Sequence, residues 1–226
     1  MHCRCFVFNR ILVGNDSVGG KTKQRYKKST STVNMERYPS PIGVRVSTGS
    51  TKTGLDEMVI VPDVLSLELA DRLLGEVRAL PEQYWIRWHR DAHWILEEKR
   101  DWRVDVPSWL EVFHCVESTF QCSINASRLN RFSEPQDYKP FHHDASAIIP
   151  SRTRTQNTSI VVSIGEGRPV RFYHEPSKST LDFSIPSRGA YAFGAGVNNR
   201  WMHGVAKGRE GDDRVRFSLA FWGWTD

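Results

Sequence analysis

Ser159-Ile160-Val161-Val162-Ser163-Ile164-Gly165 and, across Glu166-Gly167, Arg168-Pro169-Val170-Arg171-Phe172-Tyr173-His174 decide the fold. Both runs are rich in β-branched and aromatic residues, too short for helices, and punctuated by Gly and Pro, which reads as strand, turn, strand. Similar short runs surround them. The sequence predicts strands over Ile124–Phe132, Ser159–Ile164, Val170–His174, Leu181–Ile185, Ala190–Phe193 and Arg216–Trp222. Several short strands at this spacing suggest a double-sheet barrel of jelly-roll type.

Upstream the periodicity changes. Met58–Val61 reads as a strand closed by Pro62. Ser66–Leu80 reads as a helix with Leu69, Leu73, Val77 and Leu80 on one face, stopped by Pro81. Pro107-Ser108 announces a second helix, with Ser108 and Glu111 as a capping box. Its expected apolar face is Leu110, Phe113, Phe120 and either Val116 or Val112. Helices ahead of a run of strands give an α+β class with segregated elements. No internal repeat is present.

The chain has 226 residues, 39% hydrophobic, enough for one sizeable domain and an appendage. No apolar run reaches the ~18 residues of a membrane helix. Net charge is +5, which favours an anionic partner such as DNA or RNA, or reflects a basic tail on an ordinary soluble domain. Cys3 and Cys5 lie near the start and Cys115 and Cys122 in expected core, so the four cysteines form no disulfide framework. That suits an intracellular, reducing compartment, with nucleus, cytoplasm and organelle all open.

Residues 1–55 are rich in Ser, Thr, Lys, Arg and Gly and lack periodicity. The first 35 hold seven Lys or Arg and one acid, Asp16. Such a segment cannot bury enough apolar surface to fold alone. A transit peptide, a disordered nucleic-acid arm, and an over-extended start with Met35 as initiator all fit it. The folded domain is expected over residues 56–226.

The chemistry lies in His142-His143-Asp144, His203 and Arg216-Phe217-Ser218. Two-residue spacing on a strand puts His142 and Asp144 on one face and turns His143 away. Two imidazoles and a carboxylate occupy one face of a non-haem Fe(II) and leave the other open for co-substrate and molecular oxygen. The Gly- and Asn-rich stretch Gly194–Asn199 suits a tight loop feeding the strand that delivers His203. Alternation places Arg216, Ser218 and Ala220 on one strand face. An inward Arg needs an anion, which a carboxylate of 2-oxoglutarate supplies, with Ser218 adding a hydroxyl. Arg214, of the same parity, is the alternative. Taken one at a time, each of these residues has a plain structural role; the ordered set does not. His114 and His174 read as ordinary histidines.

Tyr84–Trp109 alternates aromatic and basic residues: Tyr84, Trp85, Arg87, Trp88, His89, Arg90, His93, Trp94, Lys99, Arg100, Trp102 and Arg103. Aromatics stack bases and cations meet phosphates. Trp85, Arg87 and Trp88, with Tyr138, are therefore candidate substrate residues, the alternative being Trp side chains that cover the barrel beside solvated charges.

Together these motifs resemble the AlkB-like family of Fe(II)/2-oxoglutarate dioxygenases over roughly residues 58–226. Leu129-Asn130-Arg131-Phe132 resembles the family's Asn-Arg-Tyr strand, whose Asn helps hold 2-oxoglutarate. Phe141–Asp144 resembles its His-x-Asp segment, and 159–174 its Ser-x-Ser-x-Gly hairpin. Gly189–Gly194 and Trp201–Gly204 resemble the strands around the distal His. The chain departs from the pattern at Phe132 for Tyr, Ser218 for Asn, and Trp222 for the second Arg of Arg-x5-Arg. Ala145-Ser146 stand where base-repair members often carry acids, and Ile148–Asn157 forms a longer, basic insertion.

The resemblance implies a double-stranded β-helix core with N-terminal flanking helices. It implies iron on His142, Asp144 and His203, and 2-oxoglutarate on Arg216, Asn130 and Ser218. The implied activity oxidises a substrate C–H bond while 2-oxoglutarate is decarboxylated to succinate, and an N-methyl group on a nucleic-acid base would leave as formaldehyde. A base in a duplex would first have to be flipped out. A protein or small-molecule hydroxylase, or a degenerate nucleic-acid-binding module, are the alternatives.

Overall fold

The short apolar runs form two sheets in a computed structural model that describes residues 42–98, 101–211 and 214–226. In chain order the elements are β1 (Gly43–Val46), β2 (Glu57–Val61), α1 (Leu67–Ala79), β3 (Trp85–Trp88), β4 (His93–Leu96), α2 (Trp109–Phe120), β5 (Ser123–Phe132), β6 (Lys139–His142), α3 (Pro150–Thr153), β7 (Thr158–Gly165), β8 (Pro169–His174), β9 (Ser179–Ser184), β10 (Ala190–Gly194), α4 (Ala195–Arg200), β11 (Met202–Val205) and β12 (Arg216–Trp224). The larger sheet runs β1-β2-β10-β7-β12-β5-β4-β3 and the smaller β6-β11-β8-β9. All pairings are antiparallel except β1 with β2. This is a mixed α+β molecule with the two-sheet jelly-roll core that the strand spacing predicts.

Strand alternation sorts the residues of the larger sheet between a face toward the helices and a face toward the smaller sheet. On β12, Phe217, Leu219 and Phe221 face the helices. They pack with Leu69, Leu73 and Val77 of α1 and Val112, Val116 and Phe120 of α2. Ser66 caps α1, its side chain accepting from the Leu69 amide at 3.1 Å. On the other face Phe172 and Val170 of β8 meet Tyr191 and Phe193 of β10, with Trp201 and Val197. Each large apolar side chain buried here contributes about 1.5–3 kcal/mol. That second layer holds the two sheets at the separation the site requires.

Four local expectations change. Ser108 makes no cap bond to its own helix; its amide donates to Glu76 Oε2 at 3.0 Å and its hydroxyl to the same oxygen, so Glu76 of α1 ties the two helices together. Leu110 is exposed and Val112 and Val116 carry the α2 face instead, because Trp109 takes the core position beside Phe221. Gly194–Arg200 is not a loop: it turns into α4 ahead of β11. Finally, β1 lies ahead of residue 55, where the sequence reading starts the folded domain. Its four residues are exposed and lack an apolar pattern, so backbone pairing to β2 and the buried Ile42 give it its place. Cys3, Cys5, Met35 and the rest of residues 1–41 lie outside the described residues, as do Lys99 and Arg100. Among the described residues, no helix is long and apolar enough to cross a membrane.

Candidate metal centre and adjoining cavity

His142 ends β6 and stands directly across from His203 of β11. Their rings lie 4.3 Å apart. The chain leaves β6 extended, and Asp144 folds back against both: its Oδ1 is 3.6 Å from Nε2 of His142 and 3.6 Å from Nε2 of His203. One ligand atom from each residue falls within 4.8 Å of the others. Bonds of about 2.1 Å to a single ion would close this gap with small side-chain adjustments. His143 stays out of the cluster, its Nδ1 against the Asn198 carbonyl.

Neighbouring groups aim the donors. Nδ1 of His142 donates to the Pro140 carbonyl at 3.0 Å, presenting Nε2 to the cluster. Ser159 Oγ donates to Asp144 Oδ2 at 2.7 Å. The Asp144 amide donates to Asn198 Oδ1 at 2.8 Å, and Asn198 Nδ2 in turn donates to Ser146 Oγ at 3.1 Å, so α4 fixes the turn that carries the carboxylate. Phe172 and Phe193 pack on the His203 ring.

Electrostatics keep His142 and Asp144 in forms that can ligate a metal. Burial, helped by Lys139 and His203, lowers the His142 pKa to about 3, so the imidazole is neutral. Burial alone would raise the Asp144 carboxyl, but His203 and His142 outweigh it and hold the pKa well below the usual carboxylate range. Two imidazoles and one carboxylate are a donor set that suits Fe(II) with open positions.

The cavity beside the cluster is lined by Asn130, Lys139, Asp144, Tyr191, His203, Ser218 and Trp222, among others. It measures about 20 Å³, room for one water-sized sphere, so lining side chains must move to admit anything larger. Arg216 lies just behind it, 1% exposed, on the same β12 face as Ser218. Its Nε donates to Ser163 Oγ at 3.2 Å, but both terminal nitrogens are buried without a partner. Burial lowers its pKa to about 10, so it is still a cation at neutral pH. A buried, half-satisfied guanidinium is costly unless an anion joins it. Asn130 donates through Nδ2 to the Ser218 carbonyl at 3.1 Å and to Ser218 Oγ at 3.3 Å, while its Oδ1 has no partner. Arg214 does not substitute: it is exposed and pairs with Glu166 at 2.9 Å.

Register separates the four candidate substrate residues. Trp85 opposes Leu96 and Arg87 opposes Trp94, both on the helix side of the larger sheet. Trp85 is buried against Phe217, and Arg87 stacks on Trp94 and pairs with Asp137 at 2.7 Å. These two therefore point away from the cluster. Trp88 opposes His93 on the cavity side and is exposed, with the Arg128 guanidinium 5.3 Å from its ring. Tyr138 is also exposed, ahead of β6, with the Lys207 ammonium 5.2 Å from its ring. Two arginines of the neighbouring β5 are paired: Arg131 with Glu82 and Arg128 with Glu98.

Sequence reading missed three features. His93 is fully buried on the cavity side, its ring stacked 5.2 Å from Phe132 and 5.5 Å from His89. His89 in turn sits 5.8 Å from His142. The link between β3 and β4 holds three consecutive non-glycine residues at positive φ, His89 (52°), Arg90 (57°) and Asp91 (63°). Each costs about 1 kcal/mol, a strain close to His142 of the candidate metal cluster. Lys139 is the third, and only its strand register reveals it.

No protein-family model matches the chain, and no curated protein matches it. Solved structures do share its fold. A Pseudomonas putida prolyl-4-hydroxylase is 13% identical, with 75% of this chain and 92% of that one covered at a TM-score of 0.50. OsALKBH1 is 12% identical, covering 73% and 97% at a TM-score of 0.50. An oxidoreductase of the 2OG-Fe(II) oxygenase family from Burkholderia pseudomallei is 15% identical, covering 73% and 84% at 0.49. At these identities the first two establish a likeness of fold: the chain is built on the same jelly-roll core as these proteins.

Proposed function

We propose that this chain is an Fe(II)- and 2-oxoglutarate-dependent dioxygenase, with N-methylated nucleic-acid bases as its substrate class. The observation that carries the reading is the orphaned Arg216 guanidinium close to a cavity lined by Asp144 and His203, which form one cluster with His142. A metal cluster alone fits many chemistries. A metal cluster next to a buried cation lacking its anion fits a co-substrate that chelates the metal at one end and carries a carboxylate at the other.

Bound there, iron with 2-oxoglutarate and molecular oxygen supplies the oxidising power to hydroxylate a C–H bond, with release of succinate and carbon dioxide. The chain's own part is positional. His142, Asp144 and His203 would hold the metal. Arg216, with Ser218 and Asn130, holds the co-substrate and turns it toward the cluster. Phe172, Phe193 and Trp201 wall the centre from bulk water on the smaller-sheet side. Trp88 and Tyr138, exposed aromatics each with a cation beside the ring, are the surfaces on which we place a substrate base. Phe132 replaces the family's hydroxyl-bearing Tyr, and the buried Tyr191 hydroxyl in the cavity wall is a substitute donor.

OsALKBH1 favours the nucleic-acid class by its name alone, and the fold likeness to a prolyl-4-hydroxylase favours a peptide substrate equally. A structural point bears on the second reading: Arg87, and Arg128 and Arg131 of the neighbouring β5, are each paired to a carboxylate, so these three are not free to meet phosphates. The test offers the full chain, with Fe(II), 2-oxoglutarate and oxygen, either methylated oligonucleotides or proline-containing peptides, and measures succinate and formaldehyde. Formaldehyde released from the oligonucleotides by the wild type and not by His142→Ala supports the proposal. Succinate coupled only to peptide hydroxylation moves the substrate to protein.

A further inference from the structure

We propose that the loop between β6 and β7, residues 145–157, is the surface on which this protein holds a single nucleic-acid strand, with Arg152 and Arg154 on the phosphates and Ile148 and Ile149 against the bases. The proposal rests on the reading of the chain as a dioxygenase of nucleic-acid bases.

The loop stands on the candidate metal centre. It departs after Asp144 and returns at Ser159, and the 2.7 Å bond from Ser159 Oγ to Asp144 Oδ2 closes its base. Within the loop the backbone is tied down. The Ile149 amide donates to the Ala145 carbonyl at 2.7 Å, and Thr153 Oγ1 donates to the Ser146 carbonyl at 2.6 Å. Further on, Gln156 Nε2 donates to Asn125 Oδ1 at 2.9 Å, and the Asn157 amide donates to the Gly223 carbonyl at 2.9 Å. Gly223 follows Trp222, which lines the cavity. The loop is therefore a fixed rim that runs from Asp144 to the cavity wall at Trp222.

Its exposed groups suit a polyanion with flat apolar faces. Thr153 is bonded inward, and its neighbours Arg152 and Arg154 are exposed, as is Ser151. Among the described residues neither guanidinium has an ion-pair or hydrogen-bond partner. From Ala145 to Gly165 the sequence contains no Asp or Glu, so the loop has no acid of its own to neutralise them. Arg87, Arg128 and Arg131 differ in this respect, each being held by a carboxylate. Beside the two free cations, Ile148 is 68% exposed and Ile149 47%. Guanidinium and hydroxyl groups are the usual partners of phosphate oxygens, and isoleucine is among the side chains that wedge between bases. A single strand presents its charged backbone and its unstacked bases together. A strand held on this rim lies next to Asp144, where one of its bases can enter the cavity once the lining side chains move.

The test is the affinity of the full chain for a labelled oligothymidylate, read by fluorescence anisotropy over a range of salt. Fe(II) affinity and far-UV circular dichroism serve as controls for ligation and folding. Arg152→Gln with Arg154→Gln should lose about ten- to thirtyfold at about 0.1 M salt, and its log–log salt dependence should be shallower by about 1.4, the share of two phosphate contacts on a single strand. Ile148→Ser with Ile149→Ser should lose about tenfold with an unchanged salt slope. Arg72→Gln with Arg78→Gln removes the same charge from the exposed side of α1 and should bind as wild type does. A loop arginine variant that binds as tightly as this control overturns the proposal and leaves the dioxygenase reading standing. Wild type that binds no oligonucleotide overturns the proposal and the nucleic-acid substrate class together, while binding of iron and 2-oxoglutarate, followed separately, decides the dioxygenase chemistry. An oligoglutamate that binds more tightly than the oligonucleotide, and is lost in the same variants, moves the partner to an acidic peptide and also overturns the proposal.

Discussion

Ser159 Oγ donates to Oδ2 of Asp144 at 2.7 Å, and this bond decides which carboxylate oxygen meets the imidazoles. Oδ1 is left 3.6 Å from Nε2 of both His142 and His203. Ser159→Ala should leave the fold intact and weaken Fe(II) binding about tenfold or more, the usual cost of losing a group that orients a ligand. Metal titration calorimetry reads this directly. An affinity equal to wild type would mean that Asn198 alone holds the Asp144 turn.

Arg216 is a liability to the ligand-free protein. Its two unpartnered terminal nitrogens are buried, and a well-packed apolar replacement removes that penalty. Arg216→Met should therefore raise the unfolding free energy of the ligand-free protein by about 1–3 kcal/mol. The same variant should lose the stabilisation that 2-oxoglutarate gives the metal-loaded wild type. Chemical denaturation with and without the co-substrate measures both. A destabilised ligand-free variant would mean that Arg216 is a structural cation.

His93 makes stability depend on pH. Burial, with smaller contributions from Lys139 and His89, lowers its pKa from 6.5 to about 3. The unfolded chain therefore takes up a proton below pH 6.5 that the folded chain refuses until about pH 3. Stability contributed by the neutral ring is complete above pH 6.5 and falls as pH drops through this window. The slope for one imidazole is at most about 1.4 kcal/mol per pH unit. His93→Phe preserves the stack on Phe132 and should flatten the fall by that share; His142, similarly lowered, keeps the rest. Equal slopes in the two proteins would show that His93 is protonated in the folded state.

Gly204→Ala tests the bulge that lets Val205 oppose Lys139 while His203 opposes His142. Its Cβ would meet the Lys139 carbonyl oxygen at 2.4 Å, a backbone atom that cannot swing aside. β6 and β11 would have to separate, which should cost about 2 kcal/mol or more. Since His142 and His203 face each other across the same pair of strands, Fe(II) affinity should fall with stability. Unchanged thermal stability and metal affinity would contradict the close approach.

The elements whose identity depends on local composition were legible. The β-branched run at 159–164 and the Leu69, Leu73, Val77 and Leu80 spacing stopped by Pro81 announce a strand and a helix wherever they occur. The candidate ligands His142, Asp144 and His203 stand out in the sequence through their order along the chain, and the fold brings them together. What pairing and register decide was not. Trp85 and Trp88 look alike in sequence, yet one faces the helices and the other the cavity, because β3 pairs with β4 in a particular register. Leu110 and Val112 are both plausible for the α2 face until Trp109 claims the core. Lys139 sits at an odd spacing from His142, which argues against a shared face, and only the bulge opposite Gly204 reverses that parity.

The central claim is that His142, Asp144 and His203 bind Fe(II) beside a cation that anchors 2-oxoglutarate. The most direct measurement adds Fe(II) and 2-oxoglutarate to the full chain without oxygen and follows the weak visible charge-transfer absorption of an iron-chelated 2-oxo acid. The account predicts a band in the wild type that disappears in His142→Ala and, at the same co-substrate concentration, in Arg216→Met. No band in folded wild type that binds iron would contradict it and leave a metal-binding jelly roll without this co-substrate.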